Sequence, residues 1–311
     1  MSRTAGVAGI SVAISTLDRP DALGRCLDAL LSGEVLPAEV VVVDQGSDDR
    51  ALQAVEARRS AGPPELVYVR QERRGLGASQ NLAVSRASQP IVAVTDDDCI
   101  PDPGWLGVLE RTFAETPETT APGVVTGRVL PLPADGDRTF PVASRISTTR
   151  RDFHGKALPW EVGSGNNFAL RKDWFTRIGG CDERLGPGAP ARGGVDMDLF
   201  YRLLRAGARI RYEPDSLVYH ERQTRADRLA RRPMYGRGMG ACCALWLRQG
   251  DLYALRVLGG WMALRAGRMG RDLLQRHGLG AYEEALLLGG TVRGVVQGVL
   301  LRKERLPSGS R

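Results

Sequence analysis

Four consecutive valines, Val40 to Val43, run directly into Asp44-Gln45-Gly46-Ser47. An unbroken β-branched run of this kind suits a central strand covered on both faces. Ile10–Ile14, Leu66–Val69 and Ile91–Val94 repeat the theme. Between them Pro20 opens a helical pattern through Leu23, Leu27, Leu30 and Leu31, and further helical segments lie near 50–59 and 76–87. Strand, helix, strand at this spacing calls for right-handed crossovers. The expected fold is therefore α/β, with a mainly parallel central sheet flanked by helices. An antiparallel α+β arrangement is disfavoured, because the connections are long enough to hold helices. A chain of 311 residues has room for one large α/β domain and an appendage, or for two modest domains.

From about 130 to 160 the periodicity gives way to Pro, Arg, Thr and Ser, as in functional or mobile loops. Order resumes with a strand at Asn167–Leu170, a short helix, a Gly/Pro/Ala-rich loop at 186–194 and a helix at about 195–206. Ile210–Tyr212 and Leu217–Tyr219 read as two short strands. Beyond residue 225 the pattern is of helices broken by glycines, an appended segment. Its most apolar stretch, 285–301, carries Arg293 at the centre, which argues against a membrane span.

Charge divides the chain. Residues 221–311 hold 17 basic and 7 acidic side chains, against 26 and 29 before them. That imbalance points to an anionic partner for the C-terminal third: a membrane surface, a diphosphate or nucleic acid. The Arg231–Gly240 stretch has no zinc spacing, no ribonucleoprotein signature and few interleaved aromatics, so nucleic acid is set aside. A solvated basic face, an anionic lipid surface or a phosphate-bearing acceptor is left. Trp246, Trp261 and Met262 fall at roughly helical spacing and suit packing or oligomer contacts. Five cysteines, an odd count without a CxxC pair, argue against a disulfide framework or structural zinc site and suit a reducing compartment. The opening Met1–Gly6 has no apolar signal core. A cytoplasmic location follows, with the basic segment available to the inner face of the cell membrane.

Thr95-Asp96-Asp97-Asp98-Cys99 directly follows an apolar strand. Three adjacent carboxylates at the carboxyl end of a buried strand repel one another and call for a hard divalent cation, Mg²⁺ or Mn²⁺. Open parallel sheets bind their ligands at that edge.

With Pro101-Asp102-Pro103-Gly104-Trp105-Leu106 after it, this segment resembles the family 2 glycosyltransferases, which have the GT-A fold. Ser11–Pro20, Val41–Asp49, Arg74–Asn81, Gly163–Asn167, Ile178–Glu183 and Gly193–Leu199 resemble further family segments in the same order, over about residues 9–222. The resemblance implies a GT-A domain over 1–224, with a donor half at about 9–130 and an acceptor half at about 131–224. A basic helical extension follows at 225–311.

The same resemblance implies transfer of a sugar from a nucleotide-diphosphate donor to a hydroxyl of a glycan, a lipid-linked acceptor or a small molecule. It places Asp98 on the metal, Asp96 on the ribose, Asp97 in support and Asp44 on the nucleobase. Thr16, Asp18, Gly75 and Asn166 fall in the donor-binding segments, and His220 completes the metal or diphosphate site. Asp196 takes the role of general base in an inverting displacement. Asp198 pairs instead with Arg202 at i,i+4 on the outer face. Leu17, Gln80 and Val195 depart from residues common in the family. The Gln-x-x-Arg-Trp pattern of processive synthases is absent after His220, which implies single transfers. A nucleotidyltransferase would show a Gly-rich basic segment after the first strand, where Ser15-Thr16-Leu17-Asp18-Arg19 stands. A silent nucleotide-sugar-binding scaffold is the rival from a different class.

Overall fold

The computed structural model describes residues 6–114, 121–142 and 145–301. The expectations for 1–5, 115–120, 143–144 and 302–311 fall outside them. The first half alternates β1 (Gly6–Thr16), α1 (Pro20–Leu31), β2 (Val35–Asp44), α2 (Arg50–Glu56), β3 (Glu65–Arg70), α3 (Leu76–Arg86) and β4 (Ile91–Asp96). β5 (Cys99–Pro101) and α4 (Trp105–Ala114) follow. The second half comprises β6 (Val124–Pro131), β7 (Arg151–Phe153), α5 (Pro159–Val162), β8 (Asn167–Arg171), α6 (Lys172–Arg177), α7 (Val195–Arg205) and β9 (Ile210–His220). Three long helices end the described chain: α8 (Arg225–Arg248), α9 (Tyr253–Leu274) and α10 (Gly278–Leu300).

The strands form one sheet in the order β3-β2-β1-β4-β8-β6-β9-β5, with β7 paired to β9. From β3 to β4 every pairing is parallel. Beyond β4 the sheet is mixed, since β8 runs antiparallel to both β4 and β6. The valine run behaves as its composition requires. Val40 and Val42 face a core made with α1 and α4, while Val41 and Val43 face the opposite core, made with α3 and α7. All four are fully buried.

Two sequence expectations are corrected here. Ile210–Tyr212 and Leu217–Tyr219 belong to a single strand, because the chain bulges at Pro214–Ser216 instead of ending. The register against β6 jumps from Gly127↔Glu213 to Arg128↔Leu217 across that bulge. Gly250, at φ 89°, does lie in the break between α8 and α9, but most glycines after residue 225 sit inside the helices. Four of them form the seam between α8 and α10: a Cβ on Gly236, Gly240, Gly290 or Gly294 would fall about 2.0–2.2 Å from a carbonyl oxygen of the other helix. Only the missing side chains let the two helices approach this closely.

These helices also share the main core. Met239, Cys242, Trp246, Trp261 and Leu287 are buried in one cluster with Val41, Phe168 and Leu199. Trp246 stacks on Tyr201 of α7, ring centroids 3.6 Å apart. Part of the basic charge is neutralised internally, as Arg228 and Arg232 both grip Glu283 and Arg265 faces Glu284. Among the described residues no helix is long and apolar enough to cross a membrane.

Candidate functional site

β1, β2 and β4 stop together at one edge. Thr16 lies opposite Asp44, and Ser15 opposite Asp96. After Asp96 the chain turns through Asp97 and Asp98 into β5, whose Cys99 pairs with His220 at the end of β9. This pairing carries a histidine from the second half onto the acidic triplet. The potential ligand atoms of Asp96, Asp98, Cys99 and His220 all lie within 4.8 Å of one another.

His220 Nδ1 is 2.8 Å from the Glu221 carbonyl, and Nε2 is 3.5 Å from Asp98 Oδ1. A proton on Nδ1 satisfies the carbonyl and leaves the Nε2 lone pair facing a carboxylate oxygen. That Asp98 oxygen is buried with no hydrogen-bond partner. Two acceptors facing each other fit a cation between them, and carboxylate oxygen with imidazole suits Mg²⁺ or Mn²⁺. Cys99 does not join that set readily. Burial foremost, then Asp96 and Asp98, push its thiol well up and keep it protonated.

The triplet is strained electrostatically. Burial, then Asp98 and Asp97, push the Asp96 carboxyl well above the usual range. Asp97 is pushed up to about 6, chiefly by burial, with Arg19 opposing. Thr16 donates to Asp97 at 2.8 Å, and Arg19 reaches Asp97 at 3.2 Å and Asp98 at 2.7 Å. Arg19 is a site residue absent from the sequence expectations. Its one signal is position, directly before the helix-opening Pro20 at the carboxyl end of β1.

The loops beside the triplet are tied by side chains. Asp18, at φ 55°, accepts from the Ser47 amide at 2.8 Å and its hydroxyl at 3.1 Å. Gln45 accepts from the Arg74 and Gly75 amides at 3.1 and 3.0 Å, another contribution that sequence alone did not single out. Gly75, at φ 96°, packs against the backbone of Gly188 and Ala189, where a Cβ would meet atoms at 3.1 Å.

Asp44, expected on the nucleobase, ends β2 at this edge. It is wholly buried, with Tyr68 donating to one oxygen at 2.7 Å and the Gly46 amide to the other at 2.6 Å. With Arg70 3.4 Å away as well, its carboxylate orders the loop after β2.

Asp196 lies in the first turn of α7. Its carboxylate accepts from the Gly165 amide at 3.3 Å and the Met197 amide at 2.9 Å. Burial raises its carboxyl pKa in spite of those bonds. Asp196 also adds to the repulsion felt by Asp96, so the two carboxylates lie within electrostatic reach of each other. Beside them Asn166 is 2% exposed, and neither atom of its side-chain amide has a partner. Native interiors rarely leave such groups unpaired unless a ligand completes them.

Asp198 is a further correction. It does pair with Arg202, Nε to Oδ2 at 2.7 Å, but the pair is buried and not on an outer face. Its other oxygen accepts from Trp246 Nε1 of α8 at 2.8 Å. Sequence could not show this partner, 48 residues away.

The segments that form this site match a known family. Residues 11–179, more than half of the chain, fit the profile described as Glycosyl transferase family 2. Over 209 residues the chain is 31% identical to the pre-mycofactocin glycosyltransferase of Mycobacterium tuberculosis, covering 62% of this chain and 41% of that relative. It is 27% identical over 217 residues to the succinoglycan biosynthesis protein ExoM of Rhizobium meliloti, covering 68% of this chain and 66% of ExoM. The fold resembles the mannosyltransferase PcManGT of Pyrobaculum calidifontis in complex with GDP-Man and Mn²⁺. That superposition has a TM-score of 0.60 at 17% identity over 92% of this chain and 87% of that one. It also resembles residues 1–349 of TarS from S. aureus with UDP-GlcNAc, TM-score 0.54 at 15% identity over 91% of each chain. With a GT-A fold and the family's segments in order along one sheet edge, the chain belongs to glycosyltransferase family 2.

Proposed function

We propose that the protein is a metal-dependent, inverting glycosyltransferase that moves one sugar per encounter from a nucleotide-diphosphate donor to an acceptor hydroxyl. The observation that carries this is the unpartnered Asp98 oxygen facing His220 Nε2, with the half-buried base candidate Asp196 in electrostatic reach of the same acidic triplet. The relative from M. tuberculosis is named a glycosyltransferase, and the structures similar in fold hold nucleotide sugars, one with Mn²⁺.

Asp98 and His220 would hold the divalent cation. When bound, its charge stabilises the departing diphosphate. Asp97 is fixed by Thr16 and Arg19 and so keeps the turn that presents Asp98. Asp96 would accept a bond from the donor ribose, and the free amide of Asn166 would bind the donor alongside it. Asp18 and Gly75 set the backbone of the two loops that close over the nucleotide.

Asp196 takes the acceptor's hydroxyl proton as that oxygen bonds to the anomeric carbon. The bond from that carbon to the diphosphate oxygen breaks on the opposite face, which inverts the centre. A carboxylate with a raised pKa holds that proton more firmly than a solvated one, as a general base requires. The acceptor is a glycan, a lipid-linked sugar or a small molecule. The cytoplasm is the proposed location, with exposed arginines of α9 such as Arg256 and Arg268 available to an anionic membrane surface.

The test is isothermal titration of a panel of UDP- and GDP-sugars with Mn²⁺ and with chelator. Metal-dependent binding of one donor, followed by its transfer or slow hydrolysis with inversion, is expected. Binding without turnover would make the chain a scaffold, and no binding in either condition would overturn the proposal.

A further inference from the structure

α8 is packed directly on the turn that carries Asp196. A Cβ on Gly193 would lie 2.7 Å from the Met234 carbonyl, and one on Gly194 2.8 Å from Cys242 Sγ. Gly238 comes equally close to Gly193 from the other side, with 2.3 Å between its absent Cβ and the Gly193 carbonyl carbon. The Cys242 thiol donates to the Gly194 carbonyl at 3.3 Å. α10 pins the same loop, as Gln297 donates to the Pro190 carbonyl at 2.5 Å.

On a helix, residues 231, 235, 238 and 242 recur at i, i+4, i+7 and i+11 and so share a face. Gly238 and Cys242 press on the turn. Arg231 and Tyr235 continue that face two turns and one turn before Gly238, beside the Gly193–Gly194 turn that leads into Asp196. Tyr235 keeps 42% of its surface exposed. Its hydroxyl pKa is raised, by desolvation first and by Asp196 among the charges, with Arg231 opposing. Tyr235 is therefore within electrostatic reach of both Arg231 and Asp196.

The arginines of this segment differ in one respect. Arg228 and Arg232 are spent on Glu283. Among the described residues Arg231 has no carboxylate within ion-pair distance; the charged or titratable groups in its electrostatic reach are Asp227 one turn before it and the Tyr235 hydroxyl. A guanidinium with free donors beside a general base is suited to a planar or tetrahedral oxyanion.

We propose that Arg231 and Tyr235 form the acceptor subsite, and that the acceptor carries an oxyanion, carboxylate or phosphate ester, near the hydroxyl that Asp196 deprotonates. This rests on Asp196 as the base. Tyr235 offers a ring to the apolar face of a sugar and a hydroxyl to its edge. Arg231 selects charge. α8, expected as part of an appendage, thereby supplies the acceptor side of the site.

The test uses the full chain saturated with Mn²⁺ and whichever of UDP or GDP binds it, so that the donor pocket is filled. Methyl glucoside, methyl glucuronide and glucose 6-phosphate are then titrated as neutral, carboxylate and phosphate probes. Both anionic probes, or one of them, should bind at least about tenfold more tightly than the neutral one, and their order identifies the oxyanion. Arg231→Gln should abolish that preference while leaving nucleotide affinity and melting temperature unchanged. Arg232→Gln should lower the melting temperature and keep the preference, since its partner is Glu283. Equal binding of the three probes by wild type, or a preference that survives Arg231→Gln, overturns the acceptor proposal alone. Cosedimentation with phosphatidylglycerol vesicles that needs Arg231, without discrimination among the sugars, also overturns it and makes the face a membrane contact. A chain that binds neither nucleotide refutes the functional reading on which the proposal stands.

Discussion

Asp196 and Asp198 stand two residues apart, and opposite outcomes are expected when each is replaced by Asn. Asp198 is enclosed with Arg202 and Trp246, its side chain 3% exposed and that of Arg202 11%. Asp198→Asn keeps the volume and leaves the guanidinium uncompensated. Removing one partner of a buried pair costs about 3–5 kcal/mol. In a chain of this size that corresponds to a melting temperature lower by roughly 10 °C. Asp196 has the reverse balance. Its folded pKa is raised, so its ionisation opposes folding. That penalty is absent below the unfolded carboxylate value of about 4, grows as pH rises through it, and is complete above the raised pKa. Asp196→Asn should therefore melt at or above the wild-type temperature at neutral pH, with the difference vanishing toward pH 4. Turnover should fall about 10²–10⁴-fold, because the amide cannot take a proton. Thermal melts across pH and donor hydrolysis rates read both effects. If Asp196→Asn loses stability while Asp198→Asn alone stops turnover, the roles are exchanged and the base is Asp198.

Further outcomes follow from the packing. Asp98→Ala should remove Mn²⁺-dependent donor binding in titration calorimetry, since a hard-cation site loses its unpartnered oxygen; undiminished dependence would place the metal elsewhere. Gly238→Ala should lower stability by about 1–3 kcal/mol through overpacking and also reduce turnover, because it drives α8 from the turn before Asp196. Gly294→Ala, in the seam between α8 and α10, should destabilise similarly and spare donor affinity; equal loss of donor affinity would contradict that division. A chain cut after residue 224 should show no cooperative unfolding transition, as it lacks Cys242, Trp246 and Trp261 of the shared core; a sharp melt near that of the full chain would make the C-terminal helices independent.

Much of the donor half was legible in the residues themselves. A strand must alternate its faces, so Val40–Val43 declared a doubly covered strand, and Pro20 with its leucine spacing declared the helix after β1. Asp96–Asp98 declared the edge at which chemistry would occur, because three carboxylates at a strand end need a counter-charge wherever the chain goes next. Local periodicity is silent about pairs far apart in sequence. Only β5 against β9 brought His220 onto Asp98, and only the folded loop after β2 turned Asp44 inward to Tyr68. Asp198 was correctly matched to Arg202, since i,i+4 contacts are local. Its burial depended on Trp246 arriving from α8. Glycine carries the ambiguity furthest. In isolation it weakens a helix, and so the C-terminal pattern read as interrupted. Once α8 and α10 meet, the same missing side chains are what admits one backbone to another, and that close contact exists only in the tertiary structure.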